Sequence, residues 1–181
     1  MHIEELTIEE CFKNLLGKRT GRIACARRNQ PYIVPFHFAF DGVQTIYALS
    51  TYGQKIEWMR ENPLVCIEVD DINDQSDWTS LIISGRYQEL PEAPEFESER
   101  KRAYELLSQK AMWWEPAYVA GVHRVPWDPK PIYFRITIEN ITGHRAVADK
   151  SGSKQESKRI DKPANRSWFA SLWEPDAARR F

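Results

Sequence analysis

The stretch PYIVPFHF, residues 31–38, decides the fold, because it has the composition of a β-strand and yet contains two prolines. Proline lacks the backbone N–H that a sheet ladder needs, so it is tolerated on an edge strand or at a bulge and rarely in the middle of a sheet. Pro31 and Pro35 therefore predict a strand whose backbone is partly free of strand partners. Such a strand suits a flat ligand that lies against it.

A second stretch, STYGQK at residues 50–55, follows the next predicted strand and opens a helix. Ser50 and Thr51 supply hydroxyl groups, and Lys55 lies in the first turn of that helix. Hydroxyls, loop amides and one lysine at a helix N-terminus favour the binding of a phosphate group. The two stretches together predict a site for a flat, phosphorylated cofactor.

The composition is that of a globular protein with a substantial core. The 181 residues are 42% hydrophobic and carry a formal net charge of -1, which argues against a generally basic, nucleic-acid-binding protein. No apolar run approaches the roughly 18 residues of a membrane span, and the acidic N-terminus lacks the apolar segment of a signal peptide. We therefore expect a cytoplasmic protein whose partners include neither a membrane nor a nucleic acid.

The cysteines give no sign of a metal site. Cys11, Cys25 and Cys66 are far apart, no CxxC motif occurs, and no histidine and cysteine have the spacing of metal ligands. We interpret all three as reduced, mostly buried thiols of a cytosolic protein, and we expect no bound metal.

Hydrophobic patterning predicts six strands with few helices between them. The predicted strands cover residues 22–28, 33–40, 45–50, 64–69, 78–90 and 132–141, and the predicted helices lie near residues 7–17, 53–61 and 96–112. Thr7 and Glu10 form a capping-box pattern, Asp41-Gly42 indicates a hairpin turn, and Gly85 indicates a bulge. Strands in hairpin-like succession predict a mainly β fold, an antiparallel six-stranded Greek-key barrel with accessory helices.

The last predicted helix, near residues 96–112, is charged and amphipathic. Its apolar residues Tyr104, Leu106 and Leu107 are predicted to face inward.

Over about residues 6–148 the chain resembles the FMN-binding split-barrel proteins related to pyridoxamine 5'-phosphate oxidase, and most closely the branch that includes nitroimidazole-resistance reductases. The order and spacing of several short motifs carry the resemblance. These motifs are GRIA at 21–24, PYIVPF at 31–36, IYALS at 46–50, GQK at 53–55, NP at 62–63, WTS at 78–80 and SGR at 84–86.

The resemblance implies an FMN-binding split barrel that forms a homodimer with the flavin at the interface. It also implies which residues hold the cofactor, largely through the backbone of one strand and a phosphate site after the next. These residues are Val34, Pro35, Phe36 and His37 for the ring, Ser50, Thr51 and Lys55 for the phosphate, and Ser80 facing the ring.

Two departures from the oxidase pattern bear on substrate and phosphate binding. The oxidase has an arginine–lysine pair before the helix where this chain has Gln54 and Lys55, so Arg22 is a candidate for the missing phosphate contact. The C-terminal segment by which the oxidase recognises pyridoxal phosphate has no match in residues 168–181. We therefore do not expect oxidation of pyridoxamine phosphate.

Each proposed site residue also has an ordinary interpretation. Lys55 would then be a solvated helix residue, and Ser50 and Thr51 would cap the helix. His37 would be a satisfied histidine of the barrel, and Ser80 would be a strand hydroxyl.

The C-terminal part differs in composition, so we divide the chain into an FMN-binding domain at residues 1–148 and a tail at residues 149–181. Residues 151–162 are polar and predicted to be a mobile linker. The aromatic segment at residues 168–173 is expected to dock, either as a lid on its own dimer near the flavin or on another protein. Three tryptophans of the preceding loop either wall the cofactor from the partner subunit or simply pack within that loop: Trp113, Trp114 and Trp127.

The function implied by the resemblance is that of an FMN-dependent oxidoreductase, which passes electrons from NADH or NADPH to a small organic acceptor. The flavin would perform the chemistry, and no catalytic acid or base is nominated. The alternative is a non-catalytic flavin carrier or sensor. A haem protein with His37, His123 or His144 as axial ligand is a further alternative.

Overall fold

In the part of the chain that the structure describes, seven antiparallel strands form a single sheet that closes into a barrel. The computed structural model describes residues 1–109 and 131–147, all of which belong to the first of the chain's two units, Met1–Asp149. The strands are β1 (His2–Glu5), β2 (Thr20–Arg27), β3 (Gln30–Phe40), β4 (Thr45–Ser50), β5 (Leu64–Ile72), β6 (Trp78–Glu89) and β7 (Ile132–Val147).

The strand order is β1-β7-β4-β3-β2-β5-β6, and a further pairing between β7 and β6 closes six of the strands into a ring. The consecutive strands β2, β3 and β4 are neighbours, and β5 returns to the far side of β2, which is a Greek key. The prediction of a mainly β, antiparallel, six-stranded split barrel with accessory helices is confirmed.

The sequence did not predict β1, and it predicted that the last strand ends at residue 141. In the structure β7 continues to Val147, and its end pairs with β1. Arg145 of β7 donates hydrogen bonds to Glu4 of β1 at 2.9 Å and to Glu10 of the following helix at 3.1 Å. β1 is short and polar, so its formation depends on pairing with residues of β7 at the other end of the described chain.

Three α-helices of the described residues connect the strands: α1 (Ile8–Leu15), α2 (Gln54–Glu61) and α3 (Glu97–Leu107). The capping box at α1 is confirmed, because the Glu10 amide donates to the Thr7 hydroxyl and the Thr7 amide donates to the Glu10 carboxylate. In α3, Leu106 and Leu107 are buried as predicted. Tyr104 is 62% exposed, so its predicted inward position is wrong. Ala103 takes that place, since residues three and four apart share a helix face and Ala103 lies in line with both leucines.

The core has two parts. Inward-facing side chains of the strands fill the barrel, and the fully buried ones include Phe38, Ile67 and Phe134. A second cluster lies where α3 covers the outer side of β3 and β4, and there Ala39 and Tyr47 pack with the buried residues of the helix. Within residues 1–109 and 131–147, no helix is long and apolar enough to span a membrane.

The predicted irregularity at Gly85 is confirmed, but the extra residue lies on the opposite strand. Ser84 pairs with Asn140 and Gly85 pairs with Ile138, so Glu139 of β7 is the inserted residue. A Cβ atom at Gly85 would lie 2.6 Å from the carbonyl oxygen of Thr137. The glycine is therefore required by the close approach of β7.

Several predictions lie outside the described residues and stay predictions. They concern the end of the last helix at residues 110–112, the loop tryptophans, His123, and the tail at residues 149–181.

Candidate functional site

The site lies where β3 and β4 separate. The ladder between them covers only three pairs, from Phe40 with Ile46 to Phe38 with Ala48. Beyond this point β3 pairs with β2 alone as far as Gln30, while β4 pairs with β7. The strand with two prolines therefore has one edge without a strand partner in the described chain, as its sequence predicts.

A pocket of about 210 Å³ occupies this split. Its walls come from β3, from the end of β4 and from the first turn of α2. The lining residues are Pro35, Phe36, His37, Leu49, Ser50, Thr51 and Lys55.

Six of the nine predicted site residues thus meet in one pocket, and three do not. Val34 points to the barrel interior, where it packs against the core. Arg22 is not among the lining residues, and its guanidinium donates to Glu68 at 2.8 Å and to Asp70 at 3.3 Å. Ser80 lies on β6, where it pairs with residues of β5 and β7, away from the split in this chain.

Leu49 is the lining residue that sequence reasoning missed. It lies in the IYALS motif directly before Ser50, and its side chain packs beside Tyr47 on the outer side of the barrel. The alternation of β4 puts Tyr47 and Leu49 on the same face of the strand. This alternation is the sequence signal that could have identified Leu49 as an outward-facing residue.

Lys55 brings the positive charge of the pocket. Its ammonium group is partly buried, and desolvation lowers its pKa below the ordinary value of lysine. Among the residues that the structure describes, no carboxylate forms an ion pair with Lys55. Several arginines, by contrast, each form an ion pair with a carboxylate: Arg22, Arg27, Arg60, Arg86, Arg135 and Arg145. A partly buried cation without a counter-ion is costly unless an anion binds beside it.

The helix that carries Lys55 begins without a side-chain cap. Its N-cap is Gly53, and no side chain accepts a hydrogen bond from the first turn. Ser50 and Thr51 therefore do not cap α2, and that ordinary interpretation is wrong. The Ser50 hydroxyl is buried and donates to the carbonyl of Thr51 at 2.8 Å, which leaves its oxygen able to accept. The uncapped amides add to the partial positive charge at this end of the pocket.

His37 is 5% exposed, and neither ring nitrogen has a hydrogen-bond partner among the described residues. Burial lowers the pKa of its imidazole, and the nearby charge of Arg19 lowers it further. Both effects favour the neutral form of the ring. The described part of the barrel therefore does not supply the ring partner that a satisfied barrel histidine would have.

The other candidate ligands of a metal or haem iron that the structure describes do not line the pocket. His144 is exposed on the part of β7 that pairs with β1 and β6. In the described part of the chain no three metal-binding side chains lie together, and the described cysteines Cys11, Cys25 and Cys66 are free thiols, of which the first two are buried.

The charge of the pocket therefore favours an anion. None of the described lining residues is acidic, and their polar side-chain groups are one ammonium, two hydroxyls and one imidazole. A ligand that fits these groups has an anionic part at the Lys55 end and a flatter part along the free edge of β3.

Comparisons with known proteins agree with the fold. A family model described as pyridoxamine 5'-phosphate oxidase matches residues 7–145. A protein of Rhizobium meliloti is 37% identical over 152 residues, which cover 82% of this chain and 98% of that protein. The crystal structure of a FAD-binding protein from Mesorhizobium loti superposes with a TM-score of 0.67 at 38% identity, covering 81% of this chain and 99% of the other.

A more distant structure is that of a FAD-binding protein from Mycobacterium smegmatis. It has a TM-score of 0.54 at 25% identity, with 78% of this chain and 98% of the other covered. A candidate 5-nitroimidazole antibiotic resistance protein of Bacteroides thetaiotaomicron shares the fold alone, with a TM-score of 0.55 at 16% identity and coverage of 80% and 89%.

Proposed function

Because the chain belongs to the pyridoxamine 5'-phosphate oxidase family, we propose that its pocket binds a flavin nucleotide and that the protein is a flavin-dependent oxidoreductase. It would take electrons from a reduced nicotinamide and pass them to a small organic acceptor. The observation that carries the proposal is Lys55, a partly buried ammonium that faces the pocket without a carboxylate partner in the described chain.

The phosphate of the nucleotide fits the Lys55 end of the pocket. The ammonium supplies a charge-assisted hydrogen bond, and the hydroxyls of Ser50 and Thr51 and the uncapped amides of α2 supply neutral ones. A bound phosphate would also replace the solvent that Lys55 has lost. The same groups would serve FMN or FAD, since both carry a phosphate on the ribityl chain.

The ring of the flavin fits the free edge of β3. Pro35 has no amide hydrogen and lies where β3 lacks a partner on the β4 side, so the backbone there is open to a flat ligand. When bound, the flavin supplies the hydride- and electron-transfer chemistry. The chain's own residues orient the ring, bind the phosphate and limit the access of water from the barrel side.

Which flavin nucleotide is bound depends on groups beyond the first phosphate. Two relatives of at least 25% identity are described as FAD-binding proteins, whereas the resemblance carried by the sequence motifs implies FMN. We propose the part common to both, the ring with its ribityl phosphate, as the ligand. Pyridoxamine phosphate is not the proposed substrate, because the C-terminal residues 168–181 do not match the oxidase pattern.

We also propose that the protein is a homodimer. One row of side chains crosses the outer face of the barrel from β3 to β6 through direct strand pairs, Ile33 with Ala24, Ala24 with Cys66, and Cys66 with Ser84. The side chains of this row are uncharged, and Ile33 is 59% exposed. The row begins on β3, which is also the strand that lines the pocket. Light scattering of the full chain should give twice the monomer mass, and a flavin-loaded monomer would contradict the dimer.

The proposed function is tested by identifying the ligand and then its reduction. The full chain is purified, its bound ligand is released by heat and identified by mass spectrometry, and the ligand-free protein is titrated with FMN, FAD and riboflavin. We expect a flavin nucleotide with the two-banded absorption of a flavoprotein. A haem spectrum, or no affinity for any flavin, would overturn the proposal.

Stopped-flow mixing with NADH and NADPH then separates an enzyme from a carrier. We expect bleaching of the flavin absorption by at least one of the two. If the flavin binds and neither nicotinamide reduces it, the protein is a carrier or sensor, and the proposed electron donor is wrong.

A further inference from the structure

We propose that His37 recognises the ring of the bound ligand, by a hydrogen bond to a polar atom on the ring's edge at the closed end of the pocket. This inference rests on the proposed function and deepens it. It assigns ring recognition to one side chain, whereas the family resemblance implies mainly backbone contacts with the ring.

The first support is the state of the His37 ring. The residue is 5% exposed, and both ring nitrogens, Nδ1 and Nε2, are buried without a hydrogen-bond partner among the described residues. A buried imidazole without hydrogen bonds costs stability that a phenylalanine at the same place would not cost. The cost is compensated if a ligand in the pocket supplies the missing partner.

The second support is the position of His37 along the split. The register of the β3–β4 ladder, continued beyond Phe38 and Ala48, puts His37 opposite Leu49 and puts Pro35 opposite Thr51. His37 therefore lies at the closed end, and Thr51 lies at the end near Lys55. Two residues along a strand span roughly 7 Å, so the ring contact lies deeper than the phosphate contact by about that distance.

The third support is that, among the described residues that line the pocket, His37 has no polar side chain beside it at this end. The lining residues next to His37 are Phe36 and Leu49, which are apolar. The remaining polar side chains of the pocket are Ser50, Thr51 and Lys55, which lie toward the phosphate end. A polar atom of a ring buried at the closed end would therefore meet His37 or remain without a side-chain partner.

Arg19 explains why the ring is suited to this role. Its guanidinium donates to the carbonyl of Leu106 at 2.9 Å and to the side chain of Gln109 at 2.8 Å, which fixes it at the end of α3. The burial of the His37 ring and, after it, the charge of Arg19 lower the pKa of the imidazole and favour its neutral form. A neutral imidazole has one donor and one acceptor, and it can match the carbonyl oxygens and the N–H group on the pyrimidine edge of a flavin.

The test uses riboflavin, which has the ring without the phosphate, beside FMN. We expect His37→Phe to weaken the binding of both ligands by about tenfold, because the polar atom of the ring loses its partner. His37→Gln keeps a donor and an acceptor and should restore most of the affinity. The thermal midpoint of ligand-free His37→Phe should not fall, since the variant removes an unpaired buried polar group. Equal riboflavin affinity in wild type and His37→Phe would overturn the inference.

A second measurement needs no variant. The ring nitrogens of His37 in the full-length, 15N-histidine-labelled protein should shift when riboflavin is added to saturation. Unchanged ring signals at saturation would overturn the inference while leaving the proposed function in place. If the wild type binds neither riboflavin nor FMN, the proposed function fails and the inference fails with it.

Discussion

Phe38 and Ala48 form the last pair of the β3–β4 ladder, and the pocket begins at the next residue of each strand, His37 and Leu49. The candidate site is therefore a consequence of how the barrel opens. From His37 to Gln30, β3 pairs with β2 alone, and β4 pairs with β7 along its whole length. The contacts that hold the strands and α2 around this opening therefore set the shape of the site.

The tight crossing of β6 and β7 can be tested at Gly85. A Cβ atom there would lie 2.6 Å from the Thr137 carbonyl oxygen and 2.8 Å from a methyl carbon of Ile136. We expect Gly85→Ala to lower the free energy of unfolding by about 1–3 kcal/mol, since backbone must move to make room. Gly53→Ala is the matched control, because its Cβ atom would meet nothing within 4 Å. Denaturant unfolding that gives both variants the same stability would show that the crossing is not tight.

The orientation of α2 can be tested at Glu89. Arg60 of α2 donates two hydrogen bonds to the Glu89 carboxylate, at 2.6 and 3.0 Å, and the buried Tyr87 hydroxyl donates a third at 2.6 Å. We expect Glu89→Ala to lower the free energy of unfolding by about 1–3 kcal/mol, because it leaves the Tyr87 hydroxyl unpaired. Glu89→Ala should also weaken the binding of FMN, because α2 positions Lys55. This loss of affinity should be smaller than the loss caused by removing Lys55 itself.

The control for Glu89 is Glu139→Ala, which removes the exposed ion pair with Arg86. Exposed pairs contribute little, so stability and FMN affinity should both stay close to wild type. If Glu89→Ala behaves like Glu139→Ala in calorimetric titration with FMN, α2 is held by other contacts.

The barrel could be predicted from the sequence because its signals are local. The two prolines of β3 and the Asp41-Gly42 turn each depend on neighbouring residues, and the hairpin shows the expected geometry, with the Asp41 carboxylate accepting from three following amides. What could not be predicted depends on distant pairing. β1 forms only because Arg145 and the end of β7 reach it.

Part of the site could also be predicted, because its signals in the sequence are local. The six predicted residues that line the pocket come from two adjacent segments and the turn after them. Arg22 and Ser80 show the limit, since alternation tells which face of a strand a residue occupies but not which strand lies beside it. The sequence also could not show that His37 lacks a partner, because that depends on everything packed around its ring.

The pH dependence of FMN binding tests the state of Lys55. Burial lowers the pKa of its ammonium below the ordinary lysine value, and a bound phosphate would raise it again. Binding therefore takes up a proton at any pH between these two pKa values, and FMN affinity should fall as the pH rises through the lower one. The fall should begin at a lower pH than an ordinary lysine would give.

Riboflavin is the control for this pH series, because it shares the ionisation of the flavin ring and lacks the phosphate. Its affinity should not show the Lys55-dependent fall. Parallel pH profiles of FMN and riboflavin, measured by fluorescence titration from neutral to alkaline pH, would mean that Lys55 is not the phosphate ligand.

The central claim is that Lys55 binds the phosphate of a flavin nucleotide, and the most direct test compares FMN with riboflavin in Lys55→Ala. A charge-assisted hydrogen bond contributes roughly 1.5–3 kcal/mol. The account predicts that Lys55→Ala binds FMN about ten- to a hundredfold more weakly than wild type, with riboflavin affinity nearly unchanged. Lys101→Ala, at an exposed position of α3, should match wild type for both ligands. Equal losses of FMN and riboflavin affinity in Lys55→Ala, or no loss of either, would contradict the account.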